Sequence, residues 1–352
     1  MKISKLIEKS LFDEKMGYYK TKNPIGKNSD FITAPEISQI FGEIVAVYLI
    51  HIASSSKNQI SLVEMGAGKG TWFQDILQTI NKLVQKNNPQ AVDFLSRAQF
   101  HIIEINPVLQ KIQQQNLQNF TIKWHKNFDD FLEQKNGEIF FISNELFDCF
   151  AIDQYVKTHE GWRERLVSFA NKKTLQNPQF FLENLNIKTN NFVEEKLGKF
   201  LSQNAPINAI FEHSKTAQEF MKKLCKAVAD NGGIAINFDY GYCEYDFSNT
   251  LQAVKNHQKI PFLEGLSDSD ITAQVDFFAL DKIVKNFQLD SSLITQAEFF
   301  LSLGAEERVS VLIEKNPHLK QEIINGFQRL VAKNQMGELF KSHFFWNKEN
   351  PR

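Results

Sequence analysis

One string, Leu62-Val63-Glu64-Met65-Gly66-Ala67-Gly68-Lys69-Gly70, restricts the architectures open to this chain more than any other stretch. The apolar run at 60–63 reads as a short buried strand, and residues 72–84 carry apolar side chains at helical spacing. The glycines between them let the backbone turn sharply and approach a ligand closely, in conformations closed to residues with a Cβ. A strand that ends in such a turn and feeds directly into a helix opens a parallel sheet covered by helices. The pattern then repeats. Strands are expected at 100–105, 120–124 and 139–142, with a helix at 108–117 between the first two. A helix at 214–228 precedes a fifth central strand at 234–238. Helix 277–287, a short strand at 293–295, helices to about 333 and a closing strand at 339–346 complete the series.

Two regions depart from the alternation. Residues 1–50 read as helix, loop, helix, the second helix beginning near Pro35, since proline suits a first helical turn and Glu36 its positive end. After Asp148, strands at 152–156, 162–169 and 179–182 are separated by polar turns, which points to an antiparallel insertion. Residues 242–269 are polar and read as a long irregular loop. The expected organisation is an N-terminal helical cap (1–50), a core (51–150 and 205–352) and an inserted β-rich and helical subdomain (151–204).

The glycine spacing discriminates between ligands. A dinucleotide site follows G-x-G-x-x-G, which would require glycine at position 71, and that residue is Thr71. Here Gly66, Gly68 and Gly70 follow G-x-G-x-G with Glu64 two residues ahead. That is the arrangement of class I methyltransferases, so the expected cofactor is S-adenosylmethionine. Glu104, at the end of the second strand, is placed to accept hydrogen bonds from both hydroxyls of a ribose. Asn127 and Phe128 follow the third strand; they could meet an adenine edge and face, or Asn127 could simply cap the next helix. Asn144, Glu145 and Asp148 follow the fourth strand, where ligands of open α/β sheets bind. Two acids this close make a pocket for a cation, and paired carboxylates grip a guanidinium in fork geometry.

Composition removes several classes. A formal net charge of -1 gives no field for nucleic acid or anionic membrane, so nucleic acid is a disfavoured partner. Cys149, Cys225 and Cys243 are widely spaced, which supports neither a disulfide framework nor a zinc cluster and fits a reducing compartment. His101, His213, His257 and His343 form no metal-ligand pattern, so no metal is expected. No run reaches the roughly 18 apolar residues of a membrane helix, and residues 1–16 mix charges of both signs instead of forming a leader. The chain reads as cytoplasmic.

Further strings sharpen the reading. Gly17-Tyr18-Tyr19, Asp30-Phe31-Ile32-Thr33-Ala34-Pro35-Glu36-Ile37-Ser38, the glycine loop, Asn144-Glu145-Leu146-Phe147-Asp148, Gly161-Trp162-Arg163-Glu164-Arg165, Thr272-Ala273-Gln274-Val275-Asp276-Phe277 and Met336-Gly337-Glu338-Leu339-Phe340-Lys341 occur in that order. Together they resemble the MidA-like methyltransferases, bacterial relatives of the mitochondrial methyltransferase needed for assembly of respiratory complex I. The resemblance implies a class I, Rossmann-like α/β fold: a mostly parallel seven-stranded sheet with helices on both faces, an N-terminal helical segment and an antiparallel and helical insertion. It implies methyl transfer to an arginine of a protein, with a complex I core subunit as acceptor. It places Thr33, Ala34, Pro35 and Ser38 beside the cofactor, Gly66, Gly68 and Gly70 under it, Glu104 at the ribose, and Asn144, Glu145 and Asp148 toward the acceptor. Met65, Ala67 and Lys69 stand where relatives commonly carry Leu, Pro and Arg, and Gln274 where they often carry histidine, which argues against a base at that position. The competing readings are a cofactor-binding assembly chaperone without turnover and a methyltransferase acting on RNA or a small molecule.

Overall fold

The computed structural model describes residues 1–13, 17–18, 33–171, 175–255, 258–266 and 269–347. Tyr19, Asn23-Pro24-Ile25-Gly26 and Asp30-Phe31-Ile32 therefore lie outside the described residues. The chain begins with α1 (Ile3–Phe12), and the single turn α2 (Ala34–Ile37) precedes the longer α3 (Ile40–Ala53). The one helix expected from Pro35 onward is thus two. Ser38 is extended (φ -156°, ψ 128°) and breaks the run, and its Oγ accepts from the Ile40 N–H at 3.3 Å at the start of the second helix.

The expected alternation follows: β1 (Ile60–Met65), α4 (Thr71–Gln85), α5 (Pro89–Arg97), β2 (Ala98–Ile103), α6 (Pro107–Asn116), β3 (Ile122–His125), α7 (Phe128–Gln134) and β4 (Glu138–Asn144). Next come β5 (Asp153–Thr158), β6 (Gly161–Ser168), β7 (Gln179–Leu182), α8 (Ile187–Leu197), α9 (Lys199–Asn204) and β8 (Ile210–His213). The chain returns through α10 (Lys215–Asn231) to β9 (Gly233–Tyr242), then β10 (Gln252–Lys255), β11 (Gln258–Ile260), β12 (Asp270–Thr272) and β13 (Val275–Asp276). It closes with α11 (Phe277–Asn286), β14 (Asp290–Thr295), α12 (Gln296–Ser302), α13 (Ala305–Lys315), α14 (Lys320–Val331), α15 (Met336–Leu339) and β15 (Phe340–Trp346).

The central sheet has the order β14-β15-β9-β4-β1-β2-β3. Its pairs are parallel from β3 to β9, and β15 lies antiparallel between β9 and β14. Short β13 adds a parallel pair to the end of β9. Because β1 has β2 on one side and β4 on the other, chain order reverses there and a crevice opens beyond the carboxyl ends of β1 and β4. Both faces are covered. On β4, Phe140 and Ile142 point into the cluster built with α3, α4 and α12. Ile139 and Phe141 point into the opposite cluster with α7, α10 and α11. The period of two is what a strand demands, and each of these fully buried side chains contributes about 2–3 kcal/mol.

Two boundaries differ from expectation. The inserted sheet runs β7-β6-β5-β8, so Ile210–His213, beyond position 204, belongs to it. Residues 242–269 are not one irregular loop: β10 pairs antiparallel with β11 and β12 in a small separate sheet. The strands are only three or four residues long, too short to show an alternation.

Candidate functional site

The glycine loop takes the conformations its sequence demands. Gly66, Gly68 and Gly70 have φ of 76°, 54° and 79°, the left-handed region that a Cβ disfavours. The Gly66 N–H donates to the Ile103 carbonyl at 3.2 Å, so the turn is tied to the end of β2. Glu36 of α2 secures the loop from above, accepting from the Thr71 Oγ1 at 2.5 Å and facing Lys69 Nζ at 3.9 Å.

A cavity of about 440 Å³ opens over this turn. Its donor end is walled by Met65, Gly66 and Gly68, by Ile103 to Asn106 beyond β2, and by Leu109 of α6. Glu104 is 9% exposed. Its Oε1 accepts from the Asn106 N–H at 2.8 Å and its Oε2 from Gln113 Nε2 at 3.0 Å. Gln113 also donates to the Gly68 carbonyl at 2.8 Å and accepts from Trp124 Nε1 at 3.1 Å, so one amide braces both the loop and the acid. Burial pushes the Glu104 carboxyl above its ordinary value, against these hydrogen bonds. Glu64 is 3% exposed, and burial, with the charge of Glu104 second, pushes it up to about 8. Its Oε2 is buried without a hydrogen-bond partner. It lines a recess shared by Thr33, Pro35, Ala67, Gly68 and Asn144.

The other end is walled by Asn144, Glu145, Asp148, Cys149 and Phe150, with Thr33, Ala151, Thr216 and Asp270. Glu145 follows β4 in the left-handed region (φ 50°), unusual for a side chain of its size, and its N–H donates to the Phe238 carbonyl at 2.9 Å. Its Oε1 accepts from the Ala34 N–H at 3.4 Å and from Asn144 Nδ2 at 3.1 Å. Burial pushes Glu145 up to about 7, with Asp270 adding repulsion. Asp148 is raised by burial and then by the charge of Glu145. Behind both lies Asp239, fully buried, whose Oδ2 accepts from the Phe147 N–H at 2.8 Å and the Asp148 N–H at 3.2 Å. It fixes the loop on which the two acids sit. Two elements from the N-terminus, Glu8 and Phe12 of α1, complete the rim.

The sequence-derived residues divide accordingly. Thr33, Gly66, Gly68, Glu104, Asn144, Glu145 and Asp148 line the main cavity, and Pro35 and Glu64 the recess beside it. Ala34 contributes its backbone N–H to Glu145. Gly70 lies beneath, where an added Cβ would meet Leu117 Cδ1 at 3.1 Å. Ser38 points elsewhere, toward Ile40 and Gly326. Asn127 is the N-cap of α7, accepting from the Asp130 N–H at 2.9 Å, which is the capping reading of that residue. Phe128 is 3% exposed in the core against Phe131, Phe141 and Phe220, and does not line the cavity. Sequence reasoning missed Glu8, Gln113, Asp239 and Asp270. Only Asp239 carried a signal: like Glu64, it is an acid immediately after an apolar strand run.

The crevice suits a nucleoside with a charged tail: Gly66 and Gly68 leave its floor bare, the buried Glu104 carboxylate lines it, and Glu64 Oε2 and Asn144 Oδ1 are unpartnered. At the switch point of a sheet with this strand order, that is the cofactor site of a class I S-adenosylmethionine-dependent methyltransferase. The chain belongs to the S-adenosyl-L-methionine-dependent methyltransferase family, which it matches over residues 44–295. It is 28% identical to the protein arginine methyltransferase NDUFAF7, mitochondrial, of Xenopus laevis, over 96% of this chain and 79% of that protein. The Homo sapiens protein of the same name is 27% identical over 96% of this chain and 78% of its own. The fold matches a Burkholderia thailandensis protein crystallised with S-adenosyl-homocysteine, with a TM-score of 0.82 and 22% identity, over 99% of this chain and 88% of the other.

Proposed function

We propose that this chain transfers methyl groups from S-adenosylmethionine to an arginine side chain of a protein, and that its acceptor is a respiratory complex I core subunit during assembly. The observation that carries the reading is the continuity of one cavity from the glycine loop and Glu104 to Glu145 and Asp148. The relatives named as protein arginine methyltransferases support the choice of acceptor. The division into cap (1–50), core and insertion belongs to the same reading, with the insertion extended from 151–204 to include Ile210–His213, which pairs with β5, and the cap supplying Thr33 and Ala34 to the site. Cytoplasmic placement is supported by Cys149, Cys225 and Cys243, which are free thiols. No helix among the described residues is long and apolar enough to cross a membrane.

The bound cofactor supplies an electrophilic sulfonium methyl. The chain does the rest by positioning. A free guanidinium, with a pKa above about 12, is a poor nucleophile until its charge is drawn toward some of its nitrogens. Glu145 and Asp148 accept its N–H groups, orient one nitrogen toward the methyl and offset the positive charge, and one of the two takes up the proton that this nitrogen gives up as it is methylated. Asp239 holds the Phe147 and Asp148 amides so that this geometry exists before the acceptor arrives. Burial raises both acids above their ordinary range, and an arriving cation favours their charged forms.

The test is transfer of labelled methyl into an extract of cells lacking the protein, with mass spectrometry of the complex I subunits. Glu145→Gln is expected to bind S-adenosylhomocysteine as the wild type does and to lose transfer. Full turnover in that variant would refute the assignment of Glu145. A complex I arginine methyl mark that persists in cells without the protein would refute the acceptor.

A further inference from the structure

The glycine loop and Glu145 are joined through α2, a single turn of four residues that is held by its neighbours. Ala34 and Pro35 are buried, Ala34 in the same core cluster as α3 and α4. A Cβ on Gly326 of α14 would meet the Ile37 carbonyl at 3.2 Å, so α14 packs directly on the turn. Two polar contacts leave it. Glu36 Oε1 accepts from Thr71 Oγ1 at 2.5 Å and Glu36 Oε2 stands 3.9 Å from Lys69 Nζ, which ties α2 to the glycine loop and to the first residue of α4. The Ala34 N–H donates to Glu145 Oε1 at 3.4 Å. Only Pro35 separates Ala34 from Glu36; its ring locks φ, and the Glu36 N–H donates to the Thr33 carbonyl at 3.0 Å. A displacement of Glu36 therefore reaches the Ala34 amide with little slack.

The Ala34 amide governs how Glu145 presents itself. Asn144 Nδ2 donates to the same oxygen, Oε1, at 3.1 Å, and among the described residues Oε2 has no hydrogen-bond partner. Two donors on Oε1 fix the plane of the carboxylate and leave Oε2 for an incoming N–H. Burial disfavours the charged form of Glu145 most, and the donors from Asn144 and Ala34 work against it. The Glu145 backbone is itself left-handed, at φ 50°, a conformation that persists only when its surroundings hold it. The orientation of this carboxylate is thus set partly by a segment outside the central sheet.

We propose that Glu36 is a positioning residue for methyl transfer: its hydrogen bond to Thr71 holds α2 so that the Ala34 N–H fixes the Glu145 carboxylate. This rests on the role of Glu145 proposed above. It adds that the loop under the cofactor and the acid that receives the acceptor are mechanically linked, through Thr71, Glu36 and Ala34.

The link can be read without turnover. In the full-length chain made with glutamate carrying carbon-13 at the side-chain carboxyl, the Glu145 resonance is assigned by its loss in Glu145→Gln and followed by NMR from about pH 5 to about pH 9. Thr71→Val removes the hydroxyl and no charge, and its Glu145 midpoint is expected to rise by about 0.5 or more as the Ala34 donor is lost. Glu36→Ala should rise likewise. Glu36→Gln, which can still accept from Thr71, should not. Loss of the Glu36 charge alone favours the charged form of Glu145 and lowers the midpoint, so a rise reports the tether. Asp148, Asp239 and Asp270, the other carboxyl groups coupled to Glu145, are unchanged in every variant. In turnover, kcat/KM for the protein acceptor should fall about fivefold or more in Thr71→Val and Glu36→Ala and recover to within about twofold in Glu36→Gln. A midpoint at or below the wild-type value in Thr71→Val or in a folded Glu36→Ala overturns the proposal and leaves the role of Glu145 standing. So does a loss of kcat/KM in Glu36→Gln as large as that in Glu36→Ala. Should Glu36→Ala fail to fold, Thr71→Val decides alone, since valine keeps the shape of the side chain. Full turnover in Glu145→Gln overturns both.

Discussion

Replacing Glu64 by glutamine gives the most direct measure of how far the cofactor site is organised against the stability of the fold. Glu64 is 3% exposed and one carboxylate oxygen has no partner. Burial holds the native carboxyl near 8, against an ordinary value of 4.5. A carboxyl raised in this way binds its proton more tightly in the folded chain. Its favourable contribution is fully present below about pH 4.5 and is lost as pH rises through about 8. Between about pH 5 and pH 7, linkage with those two values gives a loss on the order of 2–3 kcal/mol in the ligand-free protein. Glutamine has no proton to lose, so the variant should not show that loss. The measurement is urea denaturation of the ligand-free wild type and variant at several pH values across this window. Other titrating groups, Glu145 and Asp148 among them, contribute to both proteins, and the difference between the two curves reports Glu64 together with its coupling to Glu104. Curves that stay parallel to within about 0.5 kcal/mol from pH 5 to pH 7 would show that Glu64 is not desolvated as described.

Two further outcomes are expected. At saturating cofactor, kcat/KM for the protein acceptor should rise with pH and level off above about 7, since burial raises Glu145 to about 7 and the acceptor requires its carboxylate; a profile flat from about pH 5.5 to 8 would exclude that requirement. Arg308→Ala should destabilise the protein by about 2–3 kcal/mol, because Arg308 grips the buried Glu43 through two contacts of 2.7 Å and ties α13 to α3. Thermal or urea unfolding measures this, and a change below about 0.5 kcal/mol would place that pair among the inert surface contacts.

The core was legible because its signals are local. Residues 60–70 contain a buried strand, the glycines that need positive φ and the start of an amphipathic helix, and each term constrains the next. The strands from 98 to 144 followed from the same logic, within two residues at most boundaries. What sequence reasoning lost were elements whose stability comes from elsewhere. The strands Gln252–Lys255, Gln258–Ile260 and Asp270–Thr272 are too short to display a period, and hold together through the cluster they share with α1. Phe128 was ambiguous for a related reason. An aromatic residue after a strand serves equally as a ligand-facing ring or as a core anchor, and only the packing of Phe131, Phe141 and Phe220 around it decides.

The same contrast divides the two ends of the site. The donor end is written within one β-α-β unit, from Glu64 to Glu104, so its spacing alone selects a cofactor class. The far end of the cavity is assembled from Glu8, the 144–148 turn, Asp239 behind it and Asp270, four segments spread over most of the chain. No spacing rule can join them, because their proximity depends on α1 docking against the insertion and on β12 folding beside it. A chain can keep the stretch from Glu64 to Glu104 while altering any of these four segments, and its glycine loop would still read the same. The glycine loop therefore carries no information about these four segments, and only the folded chain brings them together.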